Sequence, residues 1–330
     1  MKNIKNKKVL VTGAGGFIGS NLVEELVKGG ASVKALVHYN SRNDWGNIEE
    51  LPKQVKNEIE VVAGDIRDAF AMQKCVKGCD IVFHLAALIG IPYSYVAPEA
   101  YVDTNIKGTL NMLQAALVNN VGRFVHTSTS ETYGTAIYTP IDEKHPLQGQ
   151  SPYSASKIGA DKMAESYYLS FGLPVSTIRP FNTYGIRQSA RAIIPTVISQ
   201  ALIKDKIQLG SLSPVRDLTF VKDTVNGFIK IAGSEKAIGE VINVGSGFGI
   251  TVGDLVNKIF SIMGKQVEVL LDESRVRPEK SEVMQLIADN SKAKELAGWQ
   301  PTVSFDDGLK LTIEWIKDHI NNYKTDIYNV

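Results

Sequence analysis

Short runs of β-branched and apolar residues alternate along this chain with longer stretches whose apolar positions recur every three to four residues. The first kind predicts strands at Lys8–Thr12, Ser32–Val37, Glu60–Ala63, Ile81–Leu85, Arg123–Thr127 and Val175–Ile178. The second predicts amphipathic helices across segments such as GSNLVEELVKGG and DTNIKGTLNMLQAALVNN. Strand and helix in alternation predict an α/β fold with a doubly wound parallel sheet. After Arg179–Pro180 the rhythm loosens, and Pro195, Pro214, Pro278, Pro301 and several glycine-rich turns break the elements into shorter pieces. That change predicts a smaller, more irregular mixed α/β region following the main sheet. No internal repeat or low-complexity tract interrupts the pattern.

The link between the first strand and the first helix carries the first chemical signal. VLVTGAGGFIGSNLVEEL places Gly13, Gly16 and Gly19 at G-x-x-G-x-x-G spacing, directly after a strand and opening a helix. Glycine there permits a tight turn, lets backbone N–H groups approach a pyrophosphate, and lets the helix pack close to the strand. The helix N-terminus faces the phosphates with its positive dipole end. The expected architecture is therefore a Rossmann dinucleotide-binding unit over 1–180, with 220–245 returning to it and 181–330 serving as the substrate-binding region.

The second strand of such a unit ordinarily ends in an acid that accepts the adenosine ribose hydroxyls. Here His38, Tyr39, Asn40, Ser41 and Arg42 stand in that place, and Asp44 lies too far along. Without the carboxylate a 2′-phosphate is not repelled, and Ser41 with Arg42 could hold one, or the stretch is simply a solvated loop. NADP is thus marginally preferred to NAD. GDIRD after the third strand puts Asp65 and Ile66 beside the adenine, or in an ordinary strand-end turn.

SPYSASK contains Tyr153 and Lys157 at Y-x-x-x-K spacing, which on a helix turns both side chains to one face. An ammonium beside a phenol favours the phenolate, and an activated phenolate can take the proton of a sugar hydroxyl while hydride leaves for nicotinamide. Just upstream, HTSTSETYG sets Glu131 among hydroxyl residues where a buried strand is ending. A carboxylate desolvated in such a place has its pKa raised toward the range useful to a base.

Composition narrows the remaining choices. The chain has 330 residues, with Lys plus Arg at 36 against Asp plus Glu at 35, so no basic excess points to nucleic acid. The basic start, MKNIKNKK, runs into a strand without an apolar signal-peptide core, and no stretch reaches transmembrane length. A cytoplasmic location is the default expectation. Cys75 and Cys79 form neither a disulfide framework nor a zinc site, so no metal is expected and both read as reduced packing thiols on one helix.

TGAGGFIG, FHLAALIG, HTSTSETYG, YSASK and RPFNTYG, in this order, resemble the extended short-chain dehydrogenase/reductase family, over essentially the whole chain. The resemblance implies that Phe17 and Ile18 join the three glycines at the cofactor, and that Leu85, Ala86 and Ala87 pass beneath it. It implies that Thr129 hydrogen-bonds the reacting sugar hydroxyl and that Asn105 holds the local backbone. Thr129-Ser130-Glu131 resembles the pattern of nucleotide-sugar dehydratases such as GDP-mannose 4,6-dehydratase, where the glutamate removes the C5 proton. Ser130 replaces the aspartate that is the acid in another subgroup. In this family Asn182, Arg216 and either Arg187 or Arg191 lie towards the diphosphate or the substrate entrance, with Arg277 and Glu279 near ribose or pyrophosphate. Several stretches, RPEKSEV among them, are similar to dehydratases of bacterial nonulosonic-acid pathways, which act on UDP- or GDP-linked N-acetylhexosamine. Relatives dimerise through two helices matching Pro98–Asn119 and Ser151–Phe171, so a homodimer or larger assembly is expected. A 4-epimerase or decarboxylase of the same family is the alternative, and a non-catalytic NAD(P)-binding regulator is disfavoured by the intact Glu131, Tyr153 and Lys157. The RDLT run at Arg216–Thr219 favours dehydration over decarboxylation.

Overall fold

The computed structural model describes residues 4–328; residues 1–3 of the basic N-terminal segment lie outside it. Six strands follow in chain order: β1 (Lys8–Thr12), β2 (Ser32–His38), β3 (Ile59–Gly64), β4 (Ile81–His84), β5 (Arg123–Thr127) and β6 (Val175–Pro180). These are the six strands expected from the sequence, with ends moved by at most two residues. Successive residues on a strand face opposite sides, and along β1, β4, β5 and β6 both sides are dry, whereas the edge strand β3 is partly exposed. Val9, Val11, Ile81, Phe83 and Val125 join one core with Leu22, Leu26 and Phe228. Leu10, Val82 and Phe124 join a second core with Met112, Leu113 and Ala116. Two buried faces explain why these strands read as unbroken apolar runs.

β7 (Asn182–Tyr184), β8 (Lys206–Leu209), β9 (Val215–Phe220), β10 (Val241–Val244), β11 (Gly249–Thr251), β12 (Glu268–Leu271) and β13 (Gln285–Leu286) complete the strands. β10 pairs with β6, so the main sheet has seven parallel strands in the order β10-β6-β5-β4-β1-β2-β3. The helix before it, Val221–Ala232, packs under the sheet, with Phe228 edge-on to Phe83 at 6.4 Å. A smaller sheet has β9 between antiparallel β11 and parallel β13, with β7 alongside, and β8 pairs separately with β12. Arg216 lies at the middle of this small sheet, in register with Ile250 and Leu286.

Chain order in the main sheet reverses between β1 and β4, and a ligand crevice forms at such a switch point. The turn after β1 and the loop after β4 are its two lips. The helix Pro152–Phe171 runs beside it, started by a capping box between Ser151 and Ser154 with Pro152 at the first helical position. It stops at Gly172, where φ is 68°. No helix among the described residues is long and apolar enough to cross a membrane.

Candidate active site

At the turn after β1, Gly13 adopts φ 68°, and a Cβ there would come within 2.8 Å of the Ala86 backbone nitrogen. A Cβ on Gly19 would overlap the Gly13 carbonyl. The helix Phe17–Lys28 then begins at Gly16 with no side chain capping its first N–H groups. An uncapped helix start in a tight glycine turn suits a pyrophosphate, so the residues present fit a dinucleotide.

The opposite lip is held by one hydroxyl. Thr12 Oγ1 accepts the backbone N–H groups of Leu85 (3.1 Å) and Ala86 (3.0 Å), and it lies 2.9 Å from His84 Nδ1. With both lone pairs used, the Thr12 proton must go to His84 Nδ1. His84 is therefore the Nε2–H tautomer and donates to Thr109 Oγ1 at 3.0 Å. Burial pushes the His84 pKa well down, which keeps the ring neutral.

At the adenosine end Tyr39, Asn40, Ser41 and Arg42 are exposed. The Asn40 side chain is occupied within its own loop, accepting from the Arg42 and Asp44 backbones and donating to Asp44 O. Asp65 is gripped by Arg67, whose hydrogen bonds hold its carboxyl below the usual range, and His38 stands 3.7 Å away. Ile66 is buried, its carbonyl taking Asn111 Nδ2 at 3.0 Å.

Tyr153 and Lys157 lie on one face of the Pro152–Phe171 helix, both buried. Lys157 Nζ donates to the Thr127 carbonyl at 2.6 Å, tying the helix to the end of β5. Burial lowers the Lys157 pKa to about 8, with Asp161 opposing. The sequence suggested a phenol lowered by its lysine. In the structure burial pushes the Tyr153 phenol up, the Thr129 hydroxyl beside it pulls down, and the Glu131 charge pushes it up further. Desolvation outweighs the neighbouring donor. The Tyr101 ring meets Tyr153 edge-on at 6.2 Å. Asn105 sits in a π-helical turn, Val102–Lys107, and clasps both Leu88 backbone groups (2.8 and 2.9 Å) and Ser156 Oγ (2.9 Å). Such a turn widens the helix by one residue and re-aims the side chain inward.

After β5 the chain turns through a 3₁₀ helix, Ser130–Tyr133, capped by Thr129 Oγ1, which accepts the Glu131 N–H at 3.3 Å. Ser130 is buried, and Glu131 is partly buried. Its charge raises the Tyr153 phenol and acts on the Arg216 guanidinium. Arg216 donates to Glu282 Oε1 at 3.0 Å, and Arg277 lies 3.6 Å from the same oxygen. Asn182 Oδ1 is buried with no partner.

The two arginines left open by the sequence part company here. Arg187 is buried, pairs with Glu24 at 2.6 Å and lies against the Trp315 ring, away from the crevice. Arg191 NH1 instead stands 3.1 Å from where a Cβ on Gly90 would be, beside the Tyr101 hydroxyl that donates to Gly90 O. Glu279 is exposed, and the acid at the arginines is Glu282, three residues on in the same RPEKSEV run. Asp161, Arg179 and Tyr101 also went unmarked in the sequence. Asp161 could have been found from its place one turn beyond Lys157.

A family model described as GDP-mannose 4,6 dehydratase matches residues 10–312. A dTDP-glucose 4,6-dehydratase of Actinoplanes sp. is 32% identical over 94% of this chain and 98% of its own. The solved double mutant of DesIV, a dTDP-glucose 4,6-dehydratase from Streptomyces venezuelae with NAD bound, is 29% identical with a TM-score of 0.85, covering 96% of this chain and 98% of that one. A UDP-glucuronic acid 4-epimerase from Bacillus cereus, solved with UDP-glucuronic acid and NAD, is 31% identical with a TM-score of 0.86, covering 94% and 99%. The crevice of this chain, with its glycine turn, Tyr153–Lys157 helix and Thr129-Ser130-Glu131 turn, belongs to the GDP-mannose 4,6-dehydratase family, among the extended short-chain dehydrogenases/reductases that act on nucleotide sugars.

Proposed function

We propose that this protein is a nucleotide-sugar 4,6-dehydratase acting on a UDP- or GDP-linked N-acetylhexosamine. The observation that carries the reading is the position of Glu131, partly buried in the turn after β5, where its charge acts on both Tyr153 and Arg216. An epimerase needs no base at that point, whereas elimination does. The N-acetylhexosamine assignment rests on the likeness of AALIGIPYSYVAPEAYVDTN, TPIDEKHPLQGQSPYSASK and RPEKSEV to nonulosonic-acid dehydratases.

A dinucleotide held by the turn of Gly13, Gly16 and Gly19 would supply a hydride acceptor at C4 and a hydride donor at C6. Tyr153 takes the C4 hydroxyl proton while Thr129, which hydrogen-bonds the phenol, holds that hydroxyl, and Lys157 stands on the same helix face, anchored to the Thr127 carbonyl. The C4 ketone acidifies the C5 proton, and Glu131 removes it. The C6 hydroxyl leaves as water, taking a proton from Glu131 or a bound water; Ser130, the residue before Glu131, is buried. C5 then takes a proton from solvent and Tyr153 gives the O4 proton back to solvent, so the sum over the cycle is the loss of one water. Arg216 and Arg277, held in place by Glu282, supply the charge for the diphosphate, with Asn182 and Arg191 at its approach.

The β2 end carries no carboxylate from His38 to Arg42, so a 2′-phosphate is accommodated, which favours NADP marginally over NAD. Acid release of bound dinucleotide from purified protein, followed by enzymatic assay, tests this, and recovery of NAD alone refutes it. A homodimer is proposed through the Gly108–Val118 and Pro152–Phe171 helices, which leave Val118, Leu169 and Phe171 exposed.

The reaction is tested by mass spectrometry after incubation with UDP-, GDP-, CDP- and dTDP-hexoses and N-acetylhexosamines. Loss of one water from a UDP- or GDP-linked N-acetylhexosamine supports the reading. An unchanged mass with inverted C4, or loss of carbon dioxide from a uronate, replaces it with the epimerase or the decarboxylase. Glu131→Gln should still reduce its bound dinucleotide on adding substrate, yet lose dehydration by about 10²–10⁴-fold and fail to introduce deuterium from D₂O at C5. Normal dehydration by that variant removes Glu131 from the mechanism.

A further inference from the structure

Asp161 lies one helical turn beyond Lys157 and is 5% exposed. Its carboxylate collects donors from two strands: His126 Nε2 at 3.0 Å, Ser128 Oγ at 2.6 Å just past β5, and Arg179 NH2 at 2.9 Å from β6. His126 and Ser128 flank Thr127, whose carbonyl takes the Lys157 ammonium. Arg179 continues to Tyr133 Oη at 3.0 Å, and Tyr133 donates to Asn243 Oδ1 on β10 at 2.8 Å. One carboxylate therefore joins the Tyr153–Lys157 helix to both strand ends that frame Thr129. Removing a charge from water is costly unless it is paired, and rigidity alone could come from apolar packing. What a carboxylate adds at this place is a counter-charge, one turn from a buried ammonium.

We propose that Asp161 is the positioning residue of this active site: it seats Lys157 against Thr127, balances its charge, and locks the strand end that carries Thr129. The assignment of Tyr153, Lys157 and Thr129 to the chemistry rests on the function proposed above. The titratable groups around the pair come from every side. Glu131 and Tyr101 face Tyr153, His84 and His126 face Lys157 from the sheet, and Arg179 lies beyond Asp161. Of these, Asp161 is the one that raises the Lys157 pKa against burial. Asp161 itself is pushed up by burial, yet the His126 hydrogen bond and the Arg179 charge hold it well below the usual carboxylate range.

The test is an NMR titration of Lys157 Nζ in ¹⁵N-lysine-labelled full-length protein, assigned with Lys157→Met and needing no substrate. In Asp161→Asn the midpoint should fall by about one pH unit or more, and in Ser128→Ala, which removes a hydrogen bond but no charge, it should stay. Asp161→Asn leaves Arg179 buried and unpaired and can fail to fold, so Asp161→Asn/Arg179→Met, with both charges gone, provides the second arm, where the midpoint should still fall but by less, since a nearby cation is lost too. An unmoved midpoint in a folded Asp161 variant overturns the proposal. On the sugar nucleotide identified by the panel above, Asp161→Asn should lower kcat with little change in KM, and Asp161→Glu should restore part of it. The titration stands or falls without any turnover, so its failure and that of the dehydratase reading are separable.

Discussion

Thr12 shows how much one hydroxyl settles in this crevice. It is fully buried, and its oxygen accepts two backbone N–H groups. Thr12→Val keeps the shape and removes the acceptor. Each buried donor left unpaired costs about 1–3 kcal/mol, so the urea midpoint of Thr12→Val should drop accordingly and bound dinucleotide should be lost more readily. An unchanged midpoint shows that the Leu85–Ala86 loop finds its acceptors elsewhere. The same geometry predicts that ¹⁵N shifts of His84 report the Nε2–H tautomer, with no protonation in mildly acid solution. Residue chemistry at this level was partly legible. Tyr153 and Lys157 stood out only in combination with the glycine turn, the chain order and the hydroxyl-rich strand end upstream, and Glu131 because it stands at that strand end. Thr12 was one more β-branched residue in a strand, and Glu282 one more acid in a charged loop, because only the approach of distant backbone gives either a task.

At the scale of elements, periodicity and capping carried the reading. SPYS starts a helix by its capping box and Gly172 ends it, both local signals. The two cysteines show where local reading fell short. The helix Ala69–Val76 ends before Cys79, because Gly78 takes φ 77°, so the two thiols do not share a helix. Both are still buried and free, packed in the second core. Burial pushes the Cys75 thiol up to about 11 and raises Cys79 as well. The thiolate is the reactive form, so it is scarce below that pH. Iodoacetamide at about pH 8 should label neither cysteine in native protein and both in denaturant. Rapid native labelling would show that this region opens.

At the scale of the molecule, apolar side chains on neighbouring helices remain uncovered. Val102 is 51% exposed and Leu169 is 72% exposed, on two segments that pack beside each other next to the crevice. If those helices pair with a second copy, light scattering should give twice the 36.0 kDa chain mass, and Leu169→Lys should shift the protein towards that single mass. A monomer in the unaltered protein removes the proposed dimer. Because Tyr153 and Lys157 sit on the buried face of the same helix, dissociation is expected to lower turnover as well.

The amino-acid order by itself determined the six leading strands, the glycine turn and the Tyr153–Lys157 face, since each depends on residues within a few positions of one another. Hydrophobic period, φ preferences and i to i+4 spacing are all local. The tertiary structure decided what joins across long separations: β10 at the sheet edge, Thr12 with Ala86, Asp161 with Arg179, and Glu282 between two arginines. It also decided the direction in which Tyr153 titrates, because burial comes from the whole fold and here outweighs a neighbouring donor. Charge and hydrogen-bond balance in a dry crevice is a property of everything that excludes water from it, and no single stretch of this chain encodes that exclusion.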